Sequence, residues 1–471
     1  MEHHDREGEK IPAGDNLAGE EVVARGGIGR QGRVSHPRDL RRRGKIRIFH
    51  VLALGVVGVA AAVLIAELLL RQFPMWVPEA VRLSSPVFVR RAESGKRYFA
   101  ESEQFQAPDT DLGLRVRPEV DVFFRVPRPY ESFPVRTVRL PGTDIGVRRR
   151  GPVPARPFAL AVGDSLVFGW GVRGEDAWVD LLERRTGFAF VNMGVGGYSS
   201  LQATRLLERY GPGLRPKIVL WGFSHNDFED NVQFAVWRRA ATAEPYERWR
   251  RSPEALSGGK DRPLAGLRDW LRGHLVLVEV ARLATQSIRG EVVEYRDGGL
   301  DFLFYASERR AAPTELALQG AELTRQALRQ ASEVAMKMGA TLVVAIFPAR
   351  EQVYWPLVRR LFSAGQQDDP DWRTNLIARF CRENSIRYVD LTPTLKEAGA
   401  RTLQVYFRAD RWHLTPLGNR LVADAVLTYL RAEGLFPQEA THQRQQFQQR
   451  SSGEHAGVGS RRHAAALGST R

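Results

Sequence analysis

Between residues 155 and 436, short apolar runs alternate with longer segments of helical period. Phe158, Ala159, Leu160, Ala161 and Val162 form an uninterrupted apolar run closed by Gly163. A run this short, apolar throughout and bounded by glycine, suits a strand buried on both faces. The same reasoning predicts strands over 158–163, 188–192, 217–222, 341–347 and 386–390. Helices are predicted near 176–186 with Gly187 as the stop, from about Ser199 and Ser200 onward, over 314–338 ending at Gly339, and near 371–384. A last helix has Thr415 to cap it, Pro416 for its first turn and Gly434 to stop it. Strands alternating with helices predict a parallel sheet covered on both faces. A long insertion, about 228–312, interrupts the alternation.

Ahead of this domain the pattern changes. Residues 120–126 and 135–140 read as short strands bounded by Pro and Gly. They predict a small β-rich lead-in, within 71–154, packed on the following domain. Further upstream, residues 48–66 carry no charge and read as one apolar segment. At about 1.5 Å per residue such a segment spans nearly 30 Å, the thickness of a bilayer core. Arg41, Arg42, Arg43, Lys45 and Arg47 precede it, and cations of that kind stay in the cytoplasm. The expected organisation is a disordered basic cytoplasmic tail (1–47), a transmembrane anchor (48–70), the lead-in (71–154), the α/β domain (155–436) and a disordered tail (437–471). Trp76 suits the far interface. A cleaved signal peptide and a buried soluble helix are the competing readings of the apolar segment. The long leader, and the placing of Ala60, Ala61 and Ala62 inside the run rather than after it, favour a retained anchor.

The net charge of +15 changes this picture little. Residues 1–47 and 438–471 carry +3 each, and the remaining cations are scattered rather than set in a stripe interleaved with aromatics. Nucleic acid is not an expected partner. A solvated basic surface that tolerates anionic lipid or polysaccharide explains the charge. The single cysteine, Cys381, permits no intrachain disulfide and no cysteine-based metal site, and sits in a helical pattern as a buried structural thiol.

Gly163, Asp164 and Ser165 end the first strand of the α/β domain and open a Gly-rich loop, 166–174. Ligands of open α/β sheets bind outside the carboxyl ends of the strands. A serine placed there is a nucleophile if a base lies within reach. The tripeptide alone would occur by chance in roughly one chain in ten of this length, so the other parts of a site must be found. Of the ten histidines, His225, His274 and His413 lie in the folded region. Asp410 stands three residues before His413, and an Asp-x-x-His turn can place the carboxylate on one imidazole nitrogen and leave the other to a substrate. A surface acid beside a satisfied histidine has the same spelling. Two further strand ends can supply oxyanion donors: residues 192–198, with Gly194, Gly196 and Gly197, and residues 222–227, where Asn226 presents an amide. Residues 169–174 also match G-x-G-x-x-G, but they start past the strand end and the second strand closes on Asn192 rather than an acid, which speaks against a dinucleotide site.

These segments, taken in order, resemble the SGNH (GDSL-type) hydrolase superfamily of esterases and lipases. The resemblance spans 155–436 with a gap at the insertion. It rests on residues 161–165 through 169–171, 192–198, 222–227 and 410–418. It implies a three-layer α/β/α sandwich of flavodoxin type, with a mostly parallel five-stranded sheet. It implies Ser165 as nucleophile, His413 as general base and acid, and Asp410 as its orienting partner. The oxyanion hole it implies consists of the Ser165 and Gly197 backbone N–H groups and the Asn226 amide, Gly197 being preferred to Gly194 by its distance from Asn192. It implies neither metal nor organic cofactor. Asp164 is expected to shape the turn, and His225 to point away or to pack.

The expected activity is that of a membrane-anchored serine esterase facing the periplasm or cell exterior. Its substrates would be acyl esters on envelope glycans or lipids, attacked through an acyl-serine. An O-acyltransferase acting on extracytoplasmic polysaccharide with the same residues, fed by a membrane acyl-donor partner, is the alternative. A non-catalytic membrane-anchored binding module is a third reading. The insertion's Trp237, Tyr246, Trp249 and Trp270 serve either as a sugar-stacking groove wall or as the core of covering helices.

Overall fold

The computed structural model describes residues 37–78, 81, 104–124, 132–250, 267, 270–271, 274–309, 313–362 and 369–436. In chain order the strands are β1 (Gln106–Asp109), β2 (Gly113–Val116), β3 (Asp121–Phe124), β4 (Phe133–Arg139), β5 (Gly146–Arg148), β6 (Ala159–Val162), β7 (Phe190–Asn192), β8 (Ile218–Phe223), β9 (Val292–Asp297), β10 (Leu300–Tyr305), β11 (Thr341–Ile346) and β12 (Arg387–Asp390). The five strands expected from the apolar runs are β6, β7, β8, β11 and β12. All are mutually parallel and lie in the order β7-β6-β8-β11-β12. Counted along the chain this is 2-1-3-4-5, the flavodoxin-like order, whose switch point lies beside the first strand.

Each strand sends alternate residues to opposite faces. Leu160, Val162, Val191, Val219, Trp221, Val344 and Ile346 pack under helices Ser200–Leu214, Glu315–Lys337 and Trp372–Glu383. Ala159, Ala161, Phe190, Leu220, Val343 and Ala345 pack under Trp178–Thr186, Thr392–Ala400 and Pro416–Ala432. The result is the three-layer α/β/α arrangement. Cys381 is fully buried in the first of these layers, and burial pushes its thiol up to about 12.

Two features differ from the sequence reading. The sheet has eight strands rather than the five expected, because β5, β4 and β3 of the lead-in add antiparallel to the β7 edge. In addition, the start of the expected insertion belongs to the domain's own helical layer. Helix Asp227–Ala240 buries Phe228, Asn231, Phe234 and Trp237, and the Asn231 amide donates to Thr324 Oγ1 at 2.8 Å. Trp237 and Tyr246 are buried with Phe234, so they are core rather than groove wall, whereas Trp270 is exposed.

The chain divides into two units, Met1–Leu64 and Ile65–Arg471. The apolar helix starts at Pro37 and ends at Gln72. Its stretch Phe49–Gln72, with a mean hydropathy of 2.5, is long and apolar enough to cross a membrane, and its side chains are exposed from Phe49 through Leu64. Within the second unit, the Glu67 carboxylate accepts the Val276 and Leu277 N–H groups at 3.0 and 2.9 Å, capping helix Val276–Ile288. The segments 1–36 and 437–471 of the predicted tails lie outside the described residues.

Helices Asp227–Ala240 and Glu315–Lys337 touch at Gly320, where an added Cβ would stand 1.8 Å from the Phe228 carbonyl oxygen. Gly320→Ala is expected to lower unfolding free energy by about 2 kcal/mol, since backbone must move to admit the methyl. Gly174→Ala, whose Cβ meets nothing within 4 Å, should change it by less than about 0.5 kcal/mol. Urea denaturation of both variants, followed by far-UV circular dichroism, measures the difference.

Candidate active site

The carboxyl end of β6 turns at Gly163, where the backbone has φ +155° and a Cβ would lie 2.5 Å from Val167 Cγ2. Glycine is required there on both counts. Asp164 is buried and its carboxylate accepts the Leu166 N–H at 2.9 Å, starting the short helix Ser165–Phe168. Its role is to shape the turn, as expected. That turn sets Ser165 at the mouth of the switch point, half-buried.

His413 arrives from the far end of the domain. Phe407 N–H donates to the His413 carbonyl at 3.2 Å, Thr415 N–H donates to the Val405 carbonyl at 2.9 Å, and Thr415 caps helix Pro416–Ala432. The closed turn between them presents Asp410 and His413. His413 Nε2 lies 2.8 Å from Ser165 Oγ, and His413 Nδ1 lies 2.5 Å from Asp410 Oδ2. The other oxygen, Asp410 Oδ1, accepts the Trp412 and His413 N–H groups at 2.8 and 3.2 Å. A carboxylate on Nδ1 assigns that nitrogen the proton and leaves Nε2 as the acceptor facing serine. The structure therefore brings together all three residues, from positions 165, 410 and 413.

Two of the three expected oxyanion donors follow the strands flanking β6. After β7, Gly197 adopts the left-handed region with φ +85°. Gly194 N–H is taken by Asn192 Oδ1 at 3.0 Å, a reason independent of spacing to prefer Gly197. After β8, Asn226 precedes helix Asp227–Ala240 and gives one amide hydrogen to Asp230 Oδ2 at 2.6 Å. An amide carries a second hydrogen for a ligand. His225, next to Asn226, packs its ring 5.3 Å from Trp412, and burial pushes its value down to about 4, so it is neutral near neutral pH.

Several contributors were not named from sequence. Trp170 stacks on His413 with ring centroids 5.9 Å apart, and is itself backed by Phe105, Phe124 and Phe133 of the lead-in. Arg148, at the end of β5, is buried and donates to the carbonyls of Phe168, Gly169 and Val172, pinning the loop behind the serine. Burial lowers its value to about 10. Asp227, buried beneath the same mouth, accepts the Ser224 N–H at 2.8 Å. Burial, and then the nearby Asp164 charge, raises its carboxyl well above the ordinary value. Asp230, the partner of the Asn226 amide, is a further such residue, and its spacing of one helical turn from Asn226 is a signal in the sequence that could have found it.

Residues 296–471 match the family model described as SGNH hydrolase-like domain, acetyltransferase AlgX. That stretch contains Asp410 and His413 and lies downstream of Ser165, Gly197 and Asn226. Among curated proteins no sequence matches the chain. Among solved structures, a lipolytic protein of the G-D-S-L family from Desulfitobacterium hafniense is similar over 58% of this chain and 98% of its own, at 12% identity and a TM-score of 0.31. A G-D-S-L family member from Veillonella parvula is similar over 57% and 96%, at 14% identity and a TM-score of 0.31. An acetyl xylan esterase is similar over 57% and 98%, at 13% identity and a TM-score of 0.33.

Burial pushes the Asp230 carboxyl up to about 6. A value raised in the folded state means that folding takes up a proton between about pH 4 and pH 6. The stability this permits is complete below about pH 4 and is lost as pH rises through about 6. Asp230→Asn keeps an acceptor for Asn226 and removes the titration. Between about pH 4 and pH 7, wild type is expected to lose about 2 kcal/mol relative to the variant, read from paired denaturation curves. A constant difference between the two proteins across that range would contradict the assignment.

Proposed function

We propose that this member of the SGNH (GDSL-type) hydrolase superfamily is a membrane-anchored serine esterase that works through an acyl-serine, with Ser165 as nucleophile, His413 as base and acid, and Asp410 as the group that orients it. The observation that carries the reading is the unbroken line from Ser165 Oγ through His413 to Asp410, at 2.8 and 2.5 Å. His413 Nε2 takes the Ser165 proton as Oγ bonds to the ester carbonyl carbon. The carbonyl π electrons move to oxygen, and the Ser165 and Gly197 N–H groups with the Asn226 amide hold that oxyanion. Collapse breaks the bond to the alcohol, which leaves with the proton from His413. Water, deprotonated by His413, then attacks the acyl-serine by the same path and releases the acid. Asp410 stays ionised throughout and stabilises the imidazolium.

The apolar helix and the cations before it support an N-terminus in the cytoplasm and a catalytic domain in the periplasm or outside the cell. Acyl esters on envelope glycans or lipids are the substrates that such a location offers. A second reading, O-acyl transfer to an extracytoplasmic polysaccharide, is favoured by the acetyltransferase named in the matching family model. It uses the same residues, with a sugar hydroxyl in place of water and a membrane partner supplying the acyl group. A non-catalytic binding module has no need for the complete residue set, which argues against it.

Ser165→Ala is expected to abolish labelling by a fluorophosphonate, and His413→Ala to lower kcat on a short acyl ester by about 10³-fold or more. Labelling that persists in Ser165→Ala rejects the nucleophile. With an acylated donor and a glycan acceptor, release of free acid alone rejects transfer, whereas acylated glycan establishes it. For topology, a C-terminal fusion to a fluorescent protein that matures in the cytoplasm alone should stay dark, and a bright fusion would reverse the orientation.

A further inference from the structure

The expected insertion closes with the hairpin β9–β10, and this hairpin grips the turn that carries Asp410 and His413. Leu303 N–H donates to the Arg408 carbonyl at 2.9 Å. The Arg408 side chain, 8% exposed, reaches back to the hairpin, with Nε 2.7 Å from Asp301 Oδ1 and Nη2 on Glu294. Ala409 packs against Val292 and Leu303. Beneath them the fully buried Arg350 bridges the two partners, donating to the Arg408 and Leu303 carbonyls at 2.9 Å each, with its guanidinium over the Phe302 and Phe304 rings. Its own N–H donates to the Arg411 carbonyl at 3.2 Å. Asp410 is thus held from both sides, at Arg408 and at Arg411.

The hairpin is itself braced. Leu283, on helix Val276–Ile288, packs both against the Val292, Leu303 and Ala409 group and against Val77, Val81 and Val276, which Leu70 also joins. Glu67 caps the same helix. The apolar helix's last turns therefore reach the residue before Asp410 through contiguous packing.

We infer that hairpin β9–β10 is a positioning element of the acyl-transfer site, and that Arg408, held by Asp301 and Glu294, aligns the Asp410 carboxylate on His413 and acts on Ser165 only through it. The inference rests on the reading of Ser165, His413 and Asp410 given above. Asp301 and Glu294 are 43% and 51% exposed in their side chains, so their ion pairs with Arg408 contribute little to stability. Their effect on geometry is another matter, because a displacement of about 1 Å at a reacting group can cost on the order of 10²-fold in rate.

The test uses the full chain in detergent micelles, with 4-nitrophenyl acetate as substrate. Arg408→Ala, Arg408→Lys and the double variant Asp301→Asn/Glu294→Gln are each made alone and combined with Asp410→Asn. With Asp410 present, Arg408→Ala and the double variant are expected to lower kcat about 10-fold or more while KM stays within about twofold. Arg408→Lys should recover part of the loss. In the Asp410→Asn background the same changes should alter kcat by less than about twofold, because a residue acting through Asp410 has nothing left to align. Equal losses in both backgrounds, a change confined to KM, or wild-type kcat in a folded Arg408→Ala overturns the inference alone. Wild-type kcat in Asp410→Asn overturns the triad reading and the inference with it. If Arg408→Ala does not fold, the double variant decides by the same criteria.

Discussion

The hydrogen bond between His413 Nε2 and Ser165 Oγ joins residues 248 positions apart, and the domain is organised around keeping that distance at 2.8 Å. Neither end is set by local structure alone. The serine end is set where β6 stops. Gly163 allows the backbone to turn against Val167, and the buried Asp164 carboxylate starts the helix in the new direction. The histidine end is set by a turn whose flanks pair across Phe407–His413 and Val405–Thr415 before the capped last helix begins. Strand order then brings the ends together. In the 2-1-3-4-5 arrangement the first strand lies between the second and third, so loops following β6, β7 and β8 share one crevice.

Buried charged side chains surround this bond. Asp164, Asp227 and Asp230 lie under or beside the mouth, and burial raises all three carboxyls. Each accepts a hydrogen that fixes a turn: Asp164 from the Leu166 N–H, Asp227 from the Ser224 N–H and Asp230 from the Asn226 amide. Arg148 and Arg350 lie on the outer sides, buried, each donating to loop carbonyls. A guanidinium suits this task because its fork of donors is planar and rigid, so one side chain can fix two or three carbonyls at once. The two arginines do matching work: Arg148 holds the loop behind Ser165, and Arg350 holds the turn that carries His413.

What could be read from the sequence follows the range of the forces involved. The five parallel strands were legible because full burial on two faces leaves an apolar run, and the helix ends were legible because Gly187, Gly339, Thr415 and Pro416 act locally. Ser165, Gly197 and Asn226 were legible as types at strand ends, and Asp410 and His413 as a pair just ahead of the capped last helix, although no spacing could establish that they meet. Pairing across sequence was not legible. The joining of β5 to β7 passes through the single register Arg148 opposite Asn192, and nothing in 120–148 marks it. The hairpin β9–β10 did carry a signal: Gly298 and Gly299, both at positive φ, form the two-residue loop that right-twisted strands favour. It went unread because the segment was assigned as a whole to an insertion.

That last point bears on how the domain is divided. An insertion is usually described as an addition to a core that is complete without it. Here the core alone would leave the Asp410 turn with its β11-side contacts to Arg350 and Glu351 and without its outer partner. The lead-in plays the corresponding part on the opposite side, where Phe105, Phe124 and Phe133 back the tryptophan that stacks on His413. The two additions hold different parts of the site, one supporting the imidazole face and the other supporting the backbone that presents it. A five-stranded α/β unit supplies the order of loops. The segments added before and within it supply the rigidity that the line of hydrogen bonds from Ser165 through His413 to Asp410 needs, because such a line tolerates less positional error than a hydrophobic layer does.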